Sequence, residues 1–394
     1  MQNRREFLKR VALFGATAAA TLPATNLLAQ NISLPRPVDR DGLFTISYGE
    51  IRPRRTPRQI TIPNVGEYQV LKGDFHIHTL FSDGTVMPRD RVLEAVHIGL
   101  DVISITDHIE HRPFIGRGEL RLAENNDDHN RPYNLARPVA EQNNLILVRG
   151  TEITKGPWHF NAVFLEDVNP VAAVVQDWRR MLEVSVDQGA FVFWNHPSWI
   201  NGAFDANNPV GLQRGDPMRF HDEIEEVREK GHIHGIEVFN GTSFYPIAMD
   251  WCVDRNLAPI TVSDIHQSEW ESHGMLNPLR PMQLILAKDR THDAVKEAHF
   301  EQRVIGWAEN MILGKEPWVG QLFDACVTIE RRLGASRFAR FVNRSDIPCI
   351  IEIEGTTLEL LPRGAVERVF QNKLRSFTVQ NWFVGMNKPL VVEV

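Results

Sequence analysis

The chain has 394 residues, of which 43% are hydrophobic and 24% are charged. This composition is ordinary for a globular protein and excludes collagen-like and low-complexity classes. The formal net charge of −7 argues against a broad nucleic-acid-binding face, so no nucleic-acid partner is expected. Fifteen histidines against four tyrosines make metal chemistry worth testing.

The first 29 residues have the pattern of a secretory signal. A basic stretch from Arg4 to Arg10 precedes an alanine-rich apolar run from Val11, and cleavage is expected after Ala29. The run is too short and too weakly apolar for a stable membrane span. The paired arginines followed by EFLK resemble a twin-arginine signal, which predicts a periplasmic protein that engages the twin-arginine export machinery. A short N-terminal helix or tail is the alternative.

Changes in composition divide the rest of the chain. Residues 30–65 are rich in proline and arginine and are expected to form an extended lead-in. Between 66 and 330, short apolar runs alternate with helical patterns, which predicts the main domain. Residues 331–347 are expected to be a helical or loop junction, and 348–394 have the alternation and turn residues of a small β domain.

Within the main domain, continuous apolar runs predict strands that are buried on both faces, as in a parallel sheet with helical crossovers. The runs are DFHIH at 74, VISIT at 102, LILVR at 145, HFNAVFL at 159, AFVFW at 190, GIEVF at 235, PITV at 259 and MQLILA at 282. Helices are predicted over Pro88 to Gly99, Val174 to Gln188, Asp222 to Lys230, Pro246 to Asn256 and Thr291 to Arg303. About seven β/α units indicate a barrel-like α/β domain.

Ionisable side chains follow nearly every predicted strand. In an α/β barrel the chemistry lies where strands end at their carboxyl face. Without a metal, so many imidazoles and carboxylates there would leave buried polar groups unpaired. The strand-end residues are His76, His78, Asp107, His108, Glu152, His159, Asn195, His196, Glu237, Asn240, Asp264 and His266.

Five motifs in this order, HIHTLFSDG, SITDH, RGTEIT, WNHPSW and TVSDIH, resemble the polymerase-and-histidinol-phosphatase (PHP) superfamily over about residues 70–330. The resemblance implies a distorted (β/α)7 barrel with two or three divalent ions that hydrolyses phosphate esters. Manganese is favoured, with zinc or iron as alternatives.

The resemblance also implies the ligands of each ion. His76 and His78 would hold the first ion, Glu152 would bridge it to the second, and Asp264 would complete its shell. His159 and His196 would complete the second ion, although the gap between Glu152 and His159 is short. Asp83, His108 and His266 would hold the third; some members place a histidine near the position of Asp83.

The chain most closely resembles an exported subgroup of phosphodiesterases that includes organophosphate-diester hydrolases, through stretches such as TDHIEHRP and GIEVFNG. The expected substrate is therefore a small phosphate ester, attacked by a metal-activated hydroxide without a serine or cysteine nucleophile. Related metallohydrolases cleave carbamate or carboxylic esters with the same metal motifs. A metal-binding module without catalytic activity is a third hypothesis.

Several residues outside the ligand set have two interpretations. Asp107 could orient the His108 imidazole or a water, or cap a loop. Lys155 and Arg112 could contact the phosphate or be surface charges. Asn195 and Asn240 could donate to a phosphoryl oxygen or close turns.

The role expected of Ser82 is a turn role, because it has no histidine or acid partner nearby in sequence. Glu237 could support the metal site or face outward. Trp199 and Trp270, like two other tryptophans near the motifs, could form an apolar wall for ester groups or pack in the core. His111 is expected to be a solvated loop histidine.

Overall fold

The computed structural model describes residues 57–114, 128–199, 218–273, 280–331 and 337–394. They fall within one unit, Thr56–Val394. The predicted export signal and most of the predicted lead-in lie outside the described residues. Within the described ranges, no helix has the length and apolarity needed to cross a bilayer.

Seven of the eight predicted strands are present at the predicted runs, and the first lies earlier, at Gln69–Asp74, so that DFHIH overlaps it only at Asp74. Most residues of these strands are buried, as continuous apolar runs require. A two-residue strand, β7, is added to them. The first nine strands are β1 (Gln69–Asp74), β2 (Val102–Ile105), β3 (Ile146–Ile153), β4 (Phe160–Val163), β5 (Phe191–Trp194), β6 (Gly235–Asn240), β7 (Ser243–Phe244), β8 (Ala258–Val262) and β9 (Met282–Ala287).

The main sheet is mixed, which corrects the expectation of a parallel sheet. β1 pairs in parallel with β2, β2 with β3, β5 with β6, and β6 with β8. β4 is antiparallel to both β3 and β5, and β9 is antiparallel to β1. The connection 154–159 is too short for a crossover, so β4 must return beside β3 in the opposite direction.

The five predicted helices are present with small shifts of their ends, and others join them. Arg131–Gln142 and Glu316–Cys326 were not predicted; a proline inside the first of them, Pro138, is atypical of a helix. The described helices are α1 (Pro88–Ile98), α2 (Arg131–Gln142), α3 (Asn169–Ala173), α4 (Trp178–Asp187), α5 (Asp222–Glu229), α6 (Pro246–Asp254), α7 (Glu269–His273), α8 (His292–Phe300) and α9 (Glu316–Cys326).

The C-terminal part is rich in strands. The segment expected to be a helical or loop junction contains a strand at Phe338–Asn343, whose alternating burial is the period-two pattern of a half-buried strand. Parallel pairing of Ile312 with Trp382 joins most of the later strands to the main sheet. The strands at Val327–Glu330, Phe338–Asn343 and Ala365–Val369 form a separate sheet. The strands are β10 (Val304–Ala308), β11 (Met311–Gly314), β12 (Val327–Glu330), β13 (Phe338–Asn343), β14 (Cys349–Ile353), β15 (Thr356–Leu360), β16 (Ala365–Val369), β17 (Ser376–Gly385) and β18 (Lys388–Glu393).

The main sheet curves so that strands far apart in its order meet. Leu71 of β1, Phe191 of β5 and Ile260 of β8 belong to one buried apolar cluster. Burial of each such side chain contributes about 1.5–3 kcal/mol. An isolated bridge pairs Ile77 with Ile265, just beyond the ends of β1 and β8. The segments that follow these two strands are therefore neighbours.

Candidate metal centre

The predicted ligands lie along one edge of the main sheet. His76 and His78 follow β1, His108 follows β2, and His196 follows β5, all at the carboxyl ends of strands. His159 precedes β4, and because β4 is antiparallel its amino end lies at the same edge. The topology therefore gathers residues from distant segments at one edge, and Asp83 joins them from the turn that follows His78.

All nine predicted ligands lie in three groups whose candidate ligand atoms are within 4.8 Å of one another. We call them the first cluster (His76, His78, Asp264), the second cluster (Glu152, His159, His196) and the third cluster (His78, Asp83, His108, His266). His78 belongs to two of them. The structure thus brings the predicted ligands together, whereas their binding of ions stays a prediction.

The first cluster has the spacing of a ligand shell. Nε2 of His76 and Nε2 of His78 are 3.1 Å apart, and each lies 3.2 Å from Oδ1 of Asp264. Each nitrogen is also 3.2 Å from Oε2 of Glu152. Ligands about 2.0–2.2 Å from one divalent ion are separated from one another by roughly 2.8–3.6 Å, from octahedral to tetrahedral geometry, so these four atoms fit such a shell.

Glu152 connects the clusters and is 1% exposed. Its Oε2 faces the first cluster and also lies 3.1 Å from Nδ1 of His108. Its Oε1 lies 2.9 Å from Nδ1 of His159 and 3.5 Å from Nε2 of His196. A parallel bridge between His108 and Glu152 holds their backbones side by side. The two oxygens of one carboxylate therefore serve two groups of nitrogens.

The third cluster is built around Asp83. Oδ1 of Asp83 lies 3.2 Å from Nε2 of His266 and 3.5 Å from Nε2 of His108. Nδ1 of His78 is also 3.5 Å away. The rings of His78 and His266 stack with their centroids 4.1 Å apart. Asp83 is thus placed to complete a shell with His108 and His266, with Nδ1 of His78 beside it.

Buried atoms without partners show that these residues fit divalent ions. Among the described residues, five of the predicted ligands carry a buried nitrogen or oxygen with no hydrogen-bond partner: Asp83, His108, His159, His196 and Asp264. Leaving a buried polar atom unpaired costs about 1–3 kcal/mol, so several together need an explanation. Imidazole and carboxylate donors suit manganese, iron and zinc, which would satisfy them.

Imidazoles and carboxylates of the three clusters shift the pKa values of one another. Burial by itself lowers the pKa of His78, but the adjacent carboxylates of Asp264 and Glu152 outweigh it and raise that pKa to about 10. Burial also raises the pKa of Glu152, yet the imidazoles of His108 and His76 hold it well below its usual value. Since a metal binds neutral imidazole, ion binding would release the proton that this raised pKa places on His78.

Glu237 orients one of the ligands from within the fold. It is fully buried on β6, and its Oε1 lies 2.7 Å from Nδ1 of His76. A carboxylate at Nδ1 places the imidazole proton there and would direct Nε2 at a bound ion. Its Oε2 accepts from the backbone N–H of His196. Of the two interpretations of Glu237, the structure excludes the outward-facing one.

Asn195 and Asn240 donate to carboxylates of the centre, which neither interpretation of the sequence anticipated. Nδ2 of Asn195 donates to Oε1 of Glu152 at 3.0 Å. Nδ2 of Asn240 donates to Glu237 at 2.8 Å and to Asp264 at 3.2 Å. Their positions at strand ends, among the ligands, were the only signal of this role in the sequence.

Asp107, Ser82 and His78 are joined in a chain of hydrogen bonds. Oγ of Ser82 donates to Asp107 at 2.6 Å and lies 3.2 Å from Nδ1 of His78. Asp107 also accepts from the backbone N–H and the hydroxyl of Thr79. Asp107 therefore organises the turn after His78 and makes no hydrogen bond to His108 among the described contacts. Ser82 does lie in a turn, but it also has the histidine and acid partners that the sequence did not reveal.

Two ligands have unusual backbone conformations. The φ angle is 23° at His196 and 52° at Asp264, in the left-handed region. Strain of this kind is concentrated at functional sites. At Gly84, an added Cβ would lie 2.7 Å from the backbone carbonyl of His78. The turn that carries Asp83 therefore packs too closely on the His78 backbone for a side chain at position 84.

The two predicted cationic contacts do not reach the ligands within the described residues. Lys155 is exposed and makes no ion pair there. Nε of Arg112 donates to the carbonyl of Phe81 at 3.0 Å, and its Nη1 lies 3.3 Å from Nδ1 of His129. A phosphate contact by either residue stays a prediction.

Two exposed rings lie at the rim of the centre. Trp199 is 37% exposed, and its ring centroid lies 6.3 Å from those of His159 and His196. On the other side, Nε2 of His111 lies 3.8 Å from Oδ2 of Asp83. Trp158 and Trp194, by contrast, are buried in the core. Of these two buried tryptophans and Trp199, only Trp199 keeps the surface position an apolar wall requires.

No protein-family model and no curated protein matches the chain. Among solved structures, it is similar to a two-domain protein from Bacteroides vulgatus ATCC 8482 that contains a predicted PHP-like metal-dependent phosphoesterase. The two are 32% identical, the similarity covers 86% of this chain and 98% of that chain, and the TM-score is 0.74.

Two more distant structures are also similar. A proposed metal-dependent phosphoesterase from Bifidobacterium adolescentis ATCC 15703 is 17% identical, with 58% of this chain and 96% of that chain covered and a TM-score of 0.36. An amidohydrolase from Chromobacterium violaceum is 13% identical, with 50% and 88% covered and a TM-score of 0.34. Scores this low carry no argument.

The Bacteroides protein is similar to this chain over most of both lengths. The residues of the PHP motifs also lie together along one edge of the sheet. The chain belongs to the PHP family of metal-dependent phosphoesterases.

Proposed function

We propose that this protein is an exported metal-dependent phosphodiesterase that holds three divalent ions at the edge of its main sheet. The observation that carries the proposal is the placement of Glu152, whose two buried carboxylate oxygens face different groups of imidazoles. Such a carboxylate is suited to bridge two ions, and paired ions are a recurring means of cleaving phosphate esters.

Each ion has its own set of ligands in this proposal. When bound, the ions would activate water near neutral pH and neutralise charge on the phosphoryl group. Manganese is favoured, and zinc and iron(II) suit the same donors. The first ion would be held by His76, His78, Asp264 and Glu152; the second by Glu152, His159 and His196; the third by Asp83, His108 and His266, with Nδ1 of His78 beside them.

Residues around the ligands keep them in the binding state. Glu237 accepts a hydrogen bond from the protonated Nδ1 of His76, so that Nε2 is free to bind an ion. Asn195 donates to Glu152 and restrains the carboxylate between its two groups of imidazoles. With these groups already oriented, little rearrangement would be needed when ions and substrate bind.

The rim supports an organic ester as substrate. The exposed ring of Trp199 lies beside His159 and His196, where one substituent of a phosphodiester would be near the second ion. Aromatic rings contribute large apolar contact areas, and ring pairs add about 0.5–1.5 kcal/mol. A diester has a second organic group for such a surface, which a monoester lacks.

The test combines metal analysis with three substrates. Purified protein should contain divalent ions and, with added manganese, hydrolyse a bis-aryl phosphate faster than an aryl monophosphate or an aryl carbamate. His196→Ala should lose most of this activity, whereas His292→Ala, at an exposed position, should keep it. Turnover of the carbamate alone would reject the phosphodiesterase. Full metal occupancy without turnover of any substrate would indicate a non-catalytic metal-binding protein.

Periplasmic location is part of the same proposal and rests on the twin-arginine pattern. Replacing Arg4 and Arg5 together by lysine should retain the protein in the cytoplasm, measured by cell fractionation. Unchanged export of this variant would contradict the proposal.

A further inference from the structure

A buried arginine on α1 binds the backbone of both segments that follow β1 and β8. Arg91 is 0% exposed. Its Nε donates to the carbonyl of His78 at 2.9 Å, and its Nη2 donates to the carbonyl of His266 at 2.8 Å. Further bonds reach the carbonyls of Ile265 at 3.2 Å and Gln267 at 2.7 Å.

Every N–H group of the Arg91 guanidinium donates a hydrogen bond. Nη1 also donates to Glu94 at 2.8 Å, so each of the five N–H donors of Arg91 has an acceptor. Glu94 in turn accepts from the backbone N–H of Glu269 at 3.0 Å. Removing a charge of this kind from water is costly unless its geometry is well satisfied. The arrangement therefore defines the separation of the two segments closely.

The two carbonyls nearest the metal centre belong to residues that share a cluster. His78 and His266 are both in the third cluster, and their rings stack at 4.1 Å. Arg91 bonds the carbonyl of each, whereas its described contacts include none of Glu152, His159 and His196.

We propose that Arg91 is a positioning residue for the third ion, because it sets the relative placement of the His78 and His266 imidazoles. The inference rests on the proposed metal centre. A lysine has one compact ammonium group in place of a planar fork and cannot bond the carbonyls of both segments with the same geometry. Partners that orient metal ligands typically contribute 10–100-fold to affinity.

The experiment measures manganese binding to the metal-stripped mature protein, by equilibrium dialysis with metal analysis, and folding by circular dichroism. Wild type should bind three ions, and Arg91→Lys should bind one of them at least tenfold more weakly, a loss typical of partners that orient ligands. The matched control is Arg89→Lys on the same helix, where the side chain is 61% exposed, and it should bind as wild type.

Asp83→Asn identifies which ion is affected. In that background, Arg91→Lys should leave the affinity for the second ion unchanged, because the described contacts of Arg91 include none of Glu152, His159 and His196; weaker binding of the second ion would overturn the inference. Binding of the first ion should weaken less than tenfold, because His78 is one of its proposed ligands and His266 is not.

Glu94→Gln keeps one oxygen that can accept from the backbone N–H of Glu269 but removes the charge that faces Arg91, and it should weaken binding of the third ion by a smaller factor. If Arg91→Lys does not fold, the inference rests on Glu94→Gln. Manganese affinities in Glu94→Gln equal to those of wild type would then overturn it.

The outcomes separate this inference from the proposed function. A wild-type protein that binds no ions would reject the metal centre and the role of Arg91 together. Three ions in wild type with unchanged affinities in a folded Arg91→Lys would reject the role of Arg91 alone.

Discussion

The carboxylate of Glu237 lies 2.7 Å from Nδ1 of His76, and both side chains are fully buried. The contact places the imidazole proton on Nδ1 and leaves Nε2 directed at Asp264 and Glu152. A residue in the middle of β6 thus determines how a residue beyond β1 presents its ligand atom.

Glu237→Gln tests this contact. The amide loses the charge that stabilises the Nδ1 proton, so the affinity for the ion held by His76 should fall about 10–100-fold. Manganese titration of the stripped protein measures the change. Glu229→Gln, on an exposed side chain, is the control. Equal affinities in the two variants would contradict the role of Glu237.

Asp83→Asn tests the number of ions. The amide keeps the shape of the side chain but removes the charge that faces His108 and His266. Metal analysis should show the loss of one equivalent, with the other two retained. Asp83→His, which supplies a competent imidazole donor, should keep it. Three equivalents in Asp83→Asn would show that Asp83 is not a ligand.

Gly84→Ala tests the packing of the turn on His78. The new Cβ would lie 2.7 Å from the carbonyl carbon and oxygen of His78, which are backbone atoms and cannot swing aside. Overpacking of this kind costs about 1–3 kcal/mol, so the urea midpoint should fall and metal binding should weaken. Gly320→Ala, where no atom lies within 4 Å, is the control and should not destabilise the protein. Equal urea midpoints in wild type and Gly84→Ala would disprove the contact.

Trp199→Ala tests the proposed substrate wall. Loss of the exposed ring should raise KM for a bis-aryl phosphate by about tenfold, equivalent to about 1.4 kcal/mol, with a smaller change for a dimethyl phosphate ester. Trp270→Ala, at a position 56% exposed on α7, is the matched control. Equal effects of Trp199→Ala on both substrates would argue that the ring does not contact the ester group.

The buried position of His299 predicts that the protein loses folding stability in acid. Its ring lies among Phe75, Phe164 and Phe191, and burial lowers its pKa from 6.5 to about 4. Folding therefore favours the neutral ring. Its contribution, about 3 kcal/mol, is fully present above pH 6.5 and is lost as the pH falls from 6.5 to about 4.

Chemical denaturation of His299→Phe across this range should give a flatter pH dependence than wild type. His292→Gln, on an exposed side chain of the same helix, should keep the wild-type slope. A wild-type slope in His299→Phe would show that another group is responsible.

Strands of the main domain could be predicted where they are buried along nearly their whole length, which requires a continuous apolar run such as MQLILA at Met282–Ala287. The direction of β4 could not, since an apolar run is the same whichever way a strand points. The α2 helix was missed because Pro138 inside it is atypical of helices, and tertiary packing overrode that local preference.

In the metal centre, too, some residues could be predicted from the sequence and others could not. His76 and His78 could be predicted as a pair, because residues two apart on an extended chain face the same side. The partners of Ser82 could not, since Asp107 follows another strand and meets Ser82 only when β1 and β2 are paired. The donor role of Asn195 likewise depends on Glu152 being beside it.

The sequence by itself determined which residue types stand at the strand ends, and hence the chemistry available there: imidazoles and carboxylates suited to divalent ions. Only the tertiary structure decided their arrangement, with Glu152 between two groups of nitrogens, Glu237 behind His76, and Arg91 across two segments. The physical reason is that spacing along the chain constrains only near neighbours. Distances between strand ends are set by how the sheet pairs and curves.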